Sequence, residues 1–218
     1  MTIEVPEPSK GDVAHALTKA GLSAVPIIGG PAVEIFQLLV QPPIEKRRRA
    51  WMAEIGEKLQ ELEAKGLNLE SLQNNEQFIS AFLQASAAAI RTHRVEKLVA
   101  LRNAVLNIAK GQGPEETVQH LLLSFIDTLS EMHLRILAFA SAPAPSPGIS
   151  AGALNQVLEN NIPELSGHRE LYDQLWRDLY SRGLISNDGL HVMMTGNGLA
   201  QRGTTTLGEL LLQFISES

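Results

Sequence analysis

Ala140-Ser141-Ala142-Pro143-Ala144-Pro145-Ser146-Pro147-Gly148 decides the architecture, because three prolines alternate there with small residues and no charge occurs. Such a stretch is extended and cannot continue a helix. It predicts a flexible Pro/Ala linker over 141–149, a helical bundle domain over 9–140 and a smaller domain over 150–218, each of ordinary domain size.

Upstream of that stretch the periodicity is helical. Ile44, Trp51, Met52, Ile55, Leu59 and Leu62 recur at steps of three and four until Gly66, which predicts one apolar helix face. Asn74 with Gln77 has the spacing of a capping box, ahead of Phe78, Phe82, Ser86 and Ile90. Val95 to Ile108 forms a further helix, stopped by Gly111 and Gly113. Pro114-Glu115-Glu116 is a start signal, since proline lacks only an amide that would be unpaired and carboxylates favour the positive helix end. The spacing from Val118 to Ile136 then predicts a single helix of about 26 residues, roughly 40 Å long.

Downstream the pattern changes. A short helical stretch holds Ala153, Leu154 and Val157 and ends at Pro163, and a second runs from about His168 to Arg182. Gly183 is placed as a left-handed cap, with Leu184 returning to Leu179 as in a Schellman ending. Leu184 to Met194, around Asn187-Asp188-Gly189, predicts a two-stranded hairpin. Thr206 with Glu209 predicts the cap of a last helix through Ile215.

The phrase Leu179-Tyr180-Ser181-Arg182-Gly183-Leu184-Ile185, followed by a hairpin and by Thr206-Leu207-Gly208-Glu209-Leu210-Leu211-Leu212-Gln213-Phe214-Ile215, resembles the winged-helix superfamily. There "L..RGLI", a wing and "T..G..LL.FI" form a frequent ending. The resemblance covers about 65 residues and implies a small winged-helix-like α+β module after the antiparallel bundle, in a mainly α protein. Lys97 to Asn107 and Phe125 to Leu137 resemble, more loosely, bacterial helical proteins of the abortive-infection alpha type. That likeness implies a bacterial origin and a tie to phage defence, and carries over no catalytic residue.

The chain has 218 residues, of which 44% are hydrophobic and 19% charged, a balance that buries a core and excludes a disordered chain. With 18 Lys+Arg against 24 Asp+Glu the net charge is -6, which argues against a surface devoted to nucleic acid. The absence of cysteine removes disulfides, thiol nucleophiles and thiolate metal sites, and suits a reducing compartment. The acidic, proline-bearing start Met1 to Pro8 lacks the form of a signal peptide, so a cytoplasmic location is expected.

No motif carries chemistry. The six histidines include no pair at the i, i+4 spacing of a helical metal site, and neither a phosphate-binding glycine loop nor a Gly-x-Ser-x-Gly elbow occurs. The expectation is a non-enzyme with no catalytic residue, metal, cofactor or small-molecule substrate.

Two features point instead to contacts. Ala20 to Ile44 is apolar apart from Glu34, yet it is interrupted by Pro26-Ile27-Ile28-Gly29-Gly30-Pro31 and by Pro42-Pro43. Two short buried segments joined by a turn are expected, with a membrane-inserting hairpin over 20–44 as the alternative. Next to it, Lys46-Arg47-Arg48-Arg49 turns through about 300° and encircles its helix. Arg48, between Ile44 and Trp51 on the apolar stripe, is expected to be partly buried and paired with Glu34. Lys46, Arg47 and Arg49 are candidates for an anion or lipid-headgroup contact.

In the tail, four arginines face eight carboxylates, and Glu170, Asp173 and Asp178 lie on the helix that would enter a DNA groove. Those charges repel phosphate, so a protein-binding or dimer-forming module is expected, with Arg169, Tyr172, Arg177, Met193 and Met194 as its interaction surface. The reading is a non-catalytic interaction or adaptor protein acting through a protein partner or self-association. A membrane-acting effector and a winged-helix DNA-binding regulator are its alternatives.

Overall fold

The computed structural model describes residues 31–148 and 150–217 and, within them, the side chains of residue 39 and of 41 onward. The chain divides into two compact units, 1–46 and 47–218. The described residues are mainly helical, with one small antiparallel sheet.

Helix α1 (Pro31–Glu63) starts on a proline and then runs through Pro42 and Pro43, where an interruption was expected. Two adjacent prolines deprive the carbonyls of Leu38 and Leu39 of amide partners. Gln41, Pro42 and Pro43 are exposed. Leu39 is 68% exposed, against the burial expected for this segment. The breaker at Pro26–Gly30 and the rest of the apolar window before Pro31 lie outside the described residues, as does the start of the expected bundle.

In the second unit, the α1 face narrows to Trp51 and Ile55, with Leu59 beside them and Met52 turned outward. Trp51 Nε1 donates to Ser86 Oγ at 2.9 Å, which fixes α1 to helix α3 (Glu76–Arg91). Between them the short α2 (Leu69–Gln73) is capped by Asn68, whose side chain accepts from the amides of Glu70 and Ser71. The cap of α3 is Asn75, one residue beyond the expected Asn74, and its side chain accepts from Phe78 N–H. Ala81, Ala85, Ala88 and Ala89 line the buried face of α3, and their small side chains let α4 (Val95–Ala109) come close through Ala100, Leu101 and Ala104.

The single long helix expected after Pro114 is two helices, α5 (Glu116–Thr128) and α6 (Glu131–Ser141). Leu129 and Ser130 have extended backbone, and Ser130 caps α6 by accepting from His133 N–H while His133 Nδ1 accepts from Ser130 N–H. The helix periodicity continues across this break because both helices bury residues in the same core. At the start of α5, Glu115 takes the cap position, one residue after Pro114.

The Pro/Ala stretch lies inside the second unit. Pro143 is buried, Asn161 Nδ2 donates to Ala144 O at 3.0 Å, and Gly203 N–H donates to Ala140 O at 2.8 Å. Strand β1 (Ala151–Ala153) precedes α7 (Leu154–Asn161), so Ala153 belongs to a strand and not to the helix expected there. A 3-10 turn (Pro163–Leu165) leads to α8 (Arg169–Ser181). The α8 ending is the Schellman type: Leu184 N–H donates to Leu179 O and Gly183 takes φ 70°.

The expected hairpin over 184–194 does not form. Strand β2 (Met193–Thr195) pairs with β1, Ala151 opposite Thr195 and Ala153 opposite Met193. Ile185 forms an isolated antiparallel bridge with Thr204. Trp176 Nε1 on Asn187 O and Asn155 N–H on Leu190 O hold the intervening residues to α8 and α7, which takes them out of any local pairing. A short α9 (Gly196–Leu199) follows, and α10 (Thr206–Ile215) is capped by Thr205 in place of Thr206. α10 packs between α4 and α6, so residues on both sides of the Pro/Ala stretch share one core.

Candidate interaction surface

Helix α8 presents two faces. Tyr172, Leu175, Trp176 and Leu179 are buried, while Arg169, Asp173 and Arg177, four residues apart, form an outward row. Against this row lies residues 188–192, and together they line a cleft of about 190 Å³ with Asp173, Trp176 and Arg177 on one side and Asp188, His191 and Val192 on the other. His191 Nε2 lies 2.7 Å from Asp173 Oδ1. The second carboxylate oxygen of Asp173 is 3.5 Å from Arg169 Nε, and Arg177 Nε donates to Asp173 O. Asp173 thus bridges a cation on its own helix to an imidazole eighteen residues later, and the bridge ties the loop that ends on Val192, just before β2, to α8.

Those two apolar residues are turned out of the core. Val192 is 58% exposed and Met193 70%, whereas Leu190 is buried and Met194 packs against the core. Tyr180, one turn beyond Trp176 on α8, is also exposed.

Of the residues expected to form the interaction surface, Arg169, Arg177 and Met193 are exposed. Tyr172 is not available to a partner: it is 2% exposed, its ring lies 6.1 Å from that of His191, and its hydroxyl donates to Glu159 Oε1. Burial and the adjacent Glu159 carboxylate hold the phenol above its ordinary pKa of 10.0. Met194 is half-buried because strand alternation turns it inward once Met193 faces out. Asp173 and His191 have no spacing that marks them in the sequence; the signal within reach was Asp173 lying four residues from both Arg169 and Arg177.

In the basic cluster, Lys46, Arg47, Arg48 and Arg49 are all exposed. Arg47 Nη1 reaches Ile90 O at 3.4 Å. The partial burial expected for Arg48 is corrected: its position on the apolar stripe falls one turn before the first buried residue of that stripe, Trp51. The Glu34 side chain, and with it the expected pairing, lies outside the described residues.

A second polar cluster escaped the sequence reading. Ser130 Oγ lies 2.7 Å from His133 Nδ1, and His133 Nε2 is buried 3.5 Å from Asp178 Oδ2 with no hydrogen-bond partner. The three side chains have the composition of a hydrolytic triad, but a reciprocal helix cap accounts for their arrangement. Ser130 N–H and His133 N–H close on each other's side chains, and a ring nitrogen that accepts N–H leaves the imidazole proton on Nε2, facing Asp178. Burial pushes His133 below its ordinary pKa of 6.5, against the pull of Asp178. Among the described residues, no group of three or more His, Asp or Glu side chains could hold a metal ion.

In comparisons with protein-family models, with curated proteins and with solved structures, nothing matches this chain.

Proposed function

We propose that this is a non-catalytic interaction protein whose contact surface is the outward row of α8 with the 188–192 loop and Met193 at the start of β2, in a tail built as a winged-helix-like module. The observation that carries the reading is the adjacent pair Val192 and Met193, both exposed, where the loop tied to α8 by the Asp173–His191 bridge enters β2. Exposing two neighbouring apolar side chains gives up hydrophobic stabilisation, and a rigid mount lets a partner recover it with little loss of conformational freedom. Arg169, Arg177, Asp188 and Tyr180 supply a mixed polar and aromatic rim of the kind that orients a protein contact. The carboxylates on the same helix, Glu170, Asp173 and Asp178, disfavour a phosphate backbone as the partner.

A Val192→Ser/Met193→Ser variant tests this. In extracts of the native cell, the tagged wild-type chain is expected to elute within an assembly, self-associated or with another protein, and the variant as a free monomer with an unchanged melting temperature. Identical elution of the two would refute the assignment.

A further inference from the structure

We propose that β2 pairs through its open edge with β2 of a second copy of this chain, so that the contact surface described above is a two-fold self-association surface. The register supplies the geometry. Gly196 N–H donates to Ser150 O at 2.8 Å, and the same register continues through Met194 opposite Gly152. In an antiparallel ladder hydrogen-bonded pairs alternate with non-hydrogen-bonded ones. Met194 therefore turns its backbone groups to β1, while Met193 and Thr195, opposite Ala153 and Ala151, turn theirs away. Among the described residues β1 is the one strand that pairs with β2, and Met193 and Thr195 are both exposed. The Thr195 carbonyl also opens α9, and its second lone pair serves an added strand.

Symmetry and charge name the partner. Outward N–H and C=O groups are matched by another extended backbone. Two such residues, two positions apart, are complementary to themselves about a two-fold axis at Met194: Met193 pairs with Thr195 of the second copy, and Thr195 with its Met193. The two Met193 side chains then lie on one face as diagonal neighbours, about 7 to 8 Å apart and within reach of each other. That contact accounts for a Met193 that is 70% exposed beside a half-buried Met194. Open sheet edges are ordinarily guarded by charge or proline. Residues 192–201 hold neither, in a chain of which 19% is charged, so no charge of this segment meets its own copy at the axis.

The test is the mass of the full purified chain by sedimentation equilibrium. A dimer that dissociates on dilution is expected at about 0.1 mM protomer. Raising the salt to about 0.5 M should leave it intact, since each copy carries a net charge of -6 and salt screens their repulsion. Met193→Pro removes an outward N–H and keeps the bonds to β1, so it should be monomeric with an unchanged circular dichroism spectrum. Met193→Lys and Met193→Glu leave the backbone edge whole. Each alone should weaken dimerisation roughly tenfold, and their equimolar mixture should recover it, because opposite charges then meet across the axis. A monomer at every concentration, an undiminished dimer in Met193→Pro, or a Lys/Glu mixture no tighter than either variant alone would each overturn the pairing. The pairing rests on the contact surface proposed above, and the two fail separately. A monomeric pure chain refutes the second copy as partner, whereas identical elution of wild type and Val192→Ser/Met193→Ser from cell extract refutes the surface itself.

Discussion

The side-chain amide of Asn107 donates to the backbone carbonyl of Phe214 at 3.0 Å, joining α4 to the end of the last helix across more than a hundred residues of chain. The same nitrogen reaches Ser216 O at 3.0 Å, and Asn103 Nδ2, one turn earlier on α4, donates to Ile215 O at 2.8 Å. Three consecutive carbonyls at a helix end, which have no intrahelical amide, are thereby satisfied by two buried asparagines. Asn103 Oδ1 in turn accepts from Arg102, whose Nη1 pairs with Glu54 Oε1 at 2.9 Å, so the network continues to α1.

Asn107→Leu removes the donors and leaves those carbonyls facing an apolar side chain. A loss of about 2 kcal/mol in unfolding free energy is expected from urea denaturation. An unchanged midpoint would show that water replaces the asparagine.

Gly208 is the tightest contact of α10. A methyl group there would collide with the carbonyl oxygen of Leu184, the residue that closes the Schellman ending of α8 and whose carbonyl also accepts from Thr205 N–H. Gly208→Ala should therefore destabilise by about 2 kcal/mol, although alanine is the better helix former. A gain in melting temperature would mean that the α10 start is free to shift.

Trp51 and Ser86 form one buried pair between α1 and α3. Ser86→Ala orphans the indole N–H and should lower stability by about 2 kcal/mol, while adding Trp51→Phe to that variant should cost less than Trp51→Phe costs alone. Strict additivity in chemical denaturation would contradict the hydrogen bond.

His133 makes the fold sensitive to acid. Burial sets its folded pKa below 6.5, with Asp178 pulling it up and Arg182 and Lys97 adding to the depression. Between that lowered value and 6.5 the unfolded chain binds more protons than the folded one. The contribution is therefore complete above pH 6.5 and lost as the pH falls through the interval. His133→Gln retains a capping-box acceptor for Ser130 N–H without titrating, so its urea midpoint should decline less steeply below pH 6.5 than that of the wild type. Parallel profiles would rule out His133 as the source.

Local signals carried much of the fold. Gly183 announced the end of α8 because its left-handed cap depends only on neighbours, and Gly111 did the same for α4. Ser130 did not announce the break between α5 and α6, because His133 occupies the position where glutamate or glutamine would mark a capping box. Pro42 and Pro43 misled because each proline excludes only one helical amide, and α1 continues through both. β1 and β2 are three residues each and pair across forty positions, too short for alternation to register and too distant for a turn signal. At the surface, Arg169, Arg177 and Met193 were legible as exposed types, whereas Asp173–His191 exists only once α8 and the 188–192 loop meet.

A partner chain seated beside Asp173–His191 would lie within reach of position 193. Photo-crosslinking from an unnatural side chain at Met193 tests the proposed contact, with the exposed Glu115 position on α5's cap as control. One discrete adduct of fixed mass from position 193, absent from position 115 and lost with Arg177→Glu, is the predicted result. No adduct, or the same smear from both positions, would contradict it.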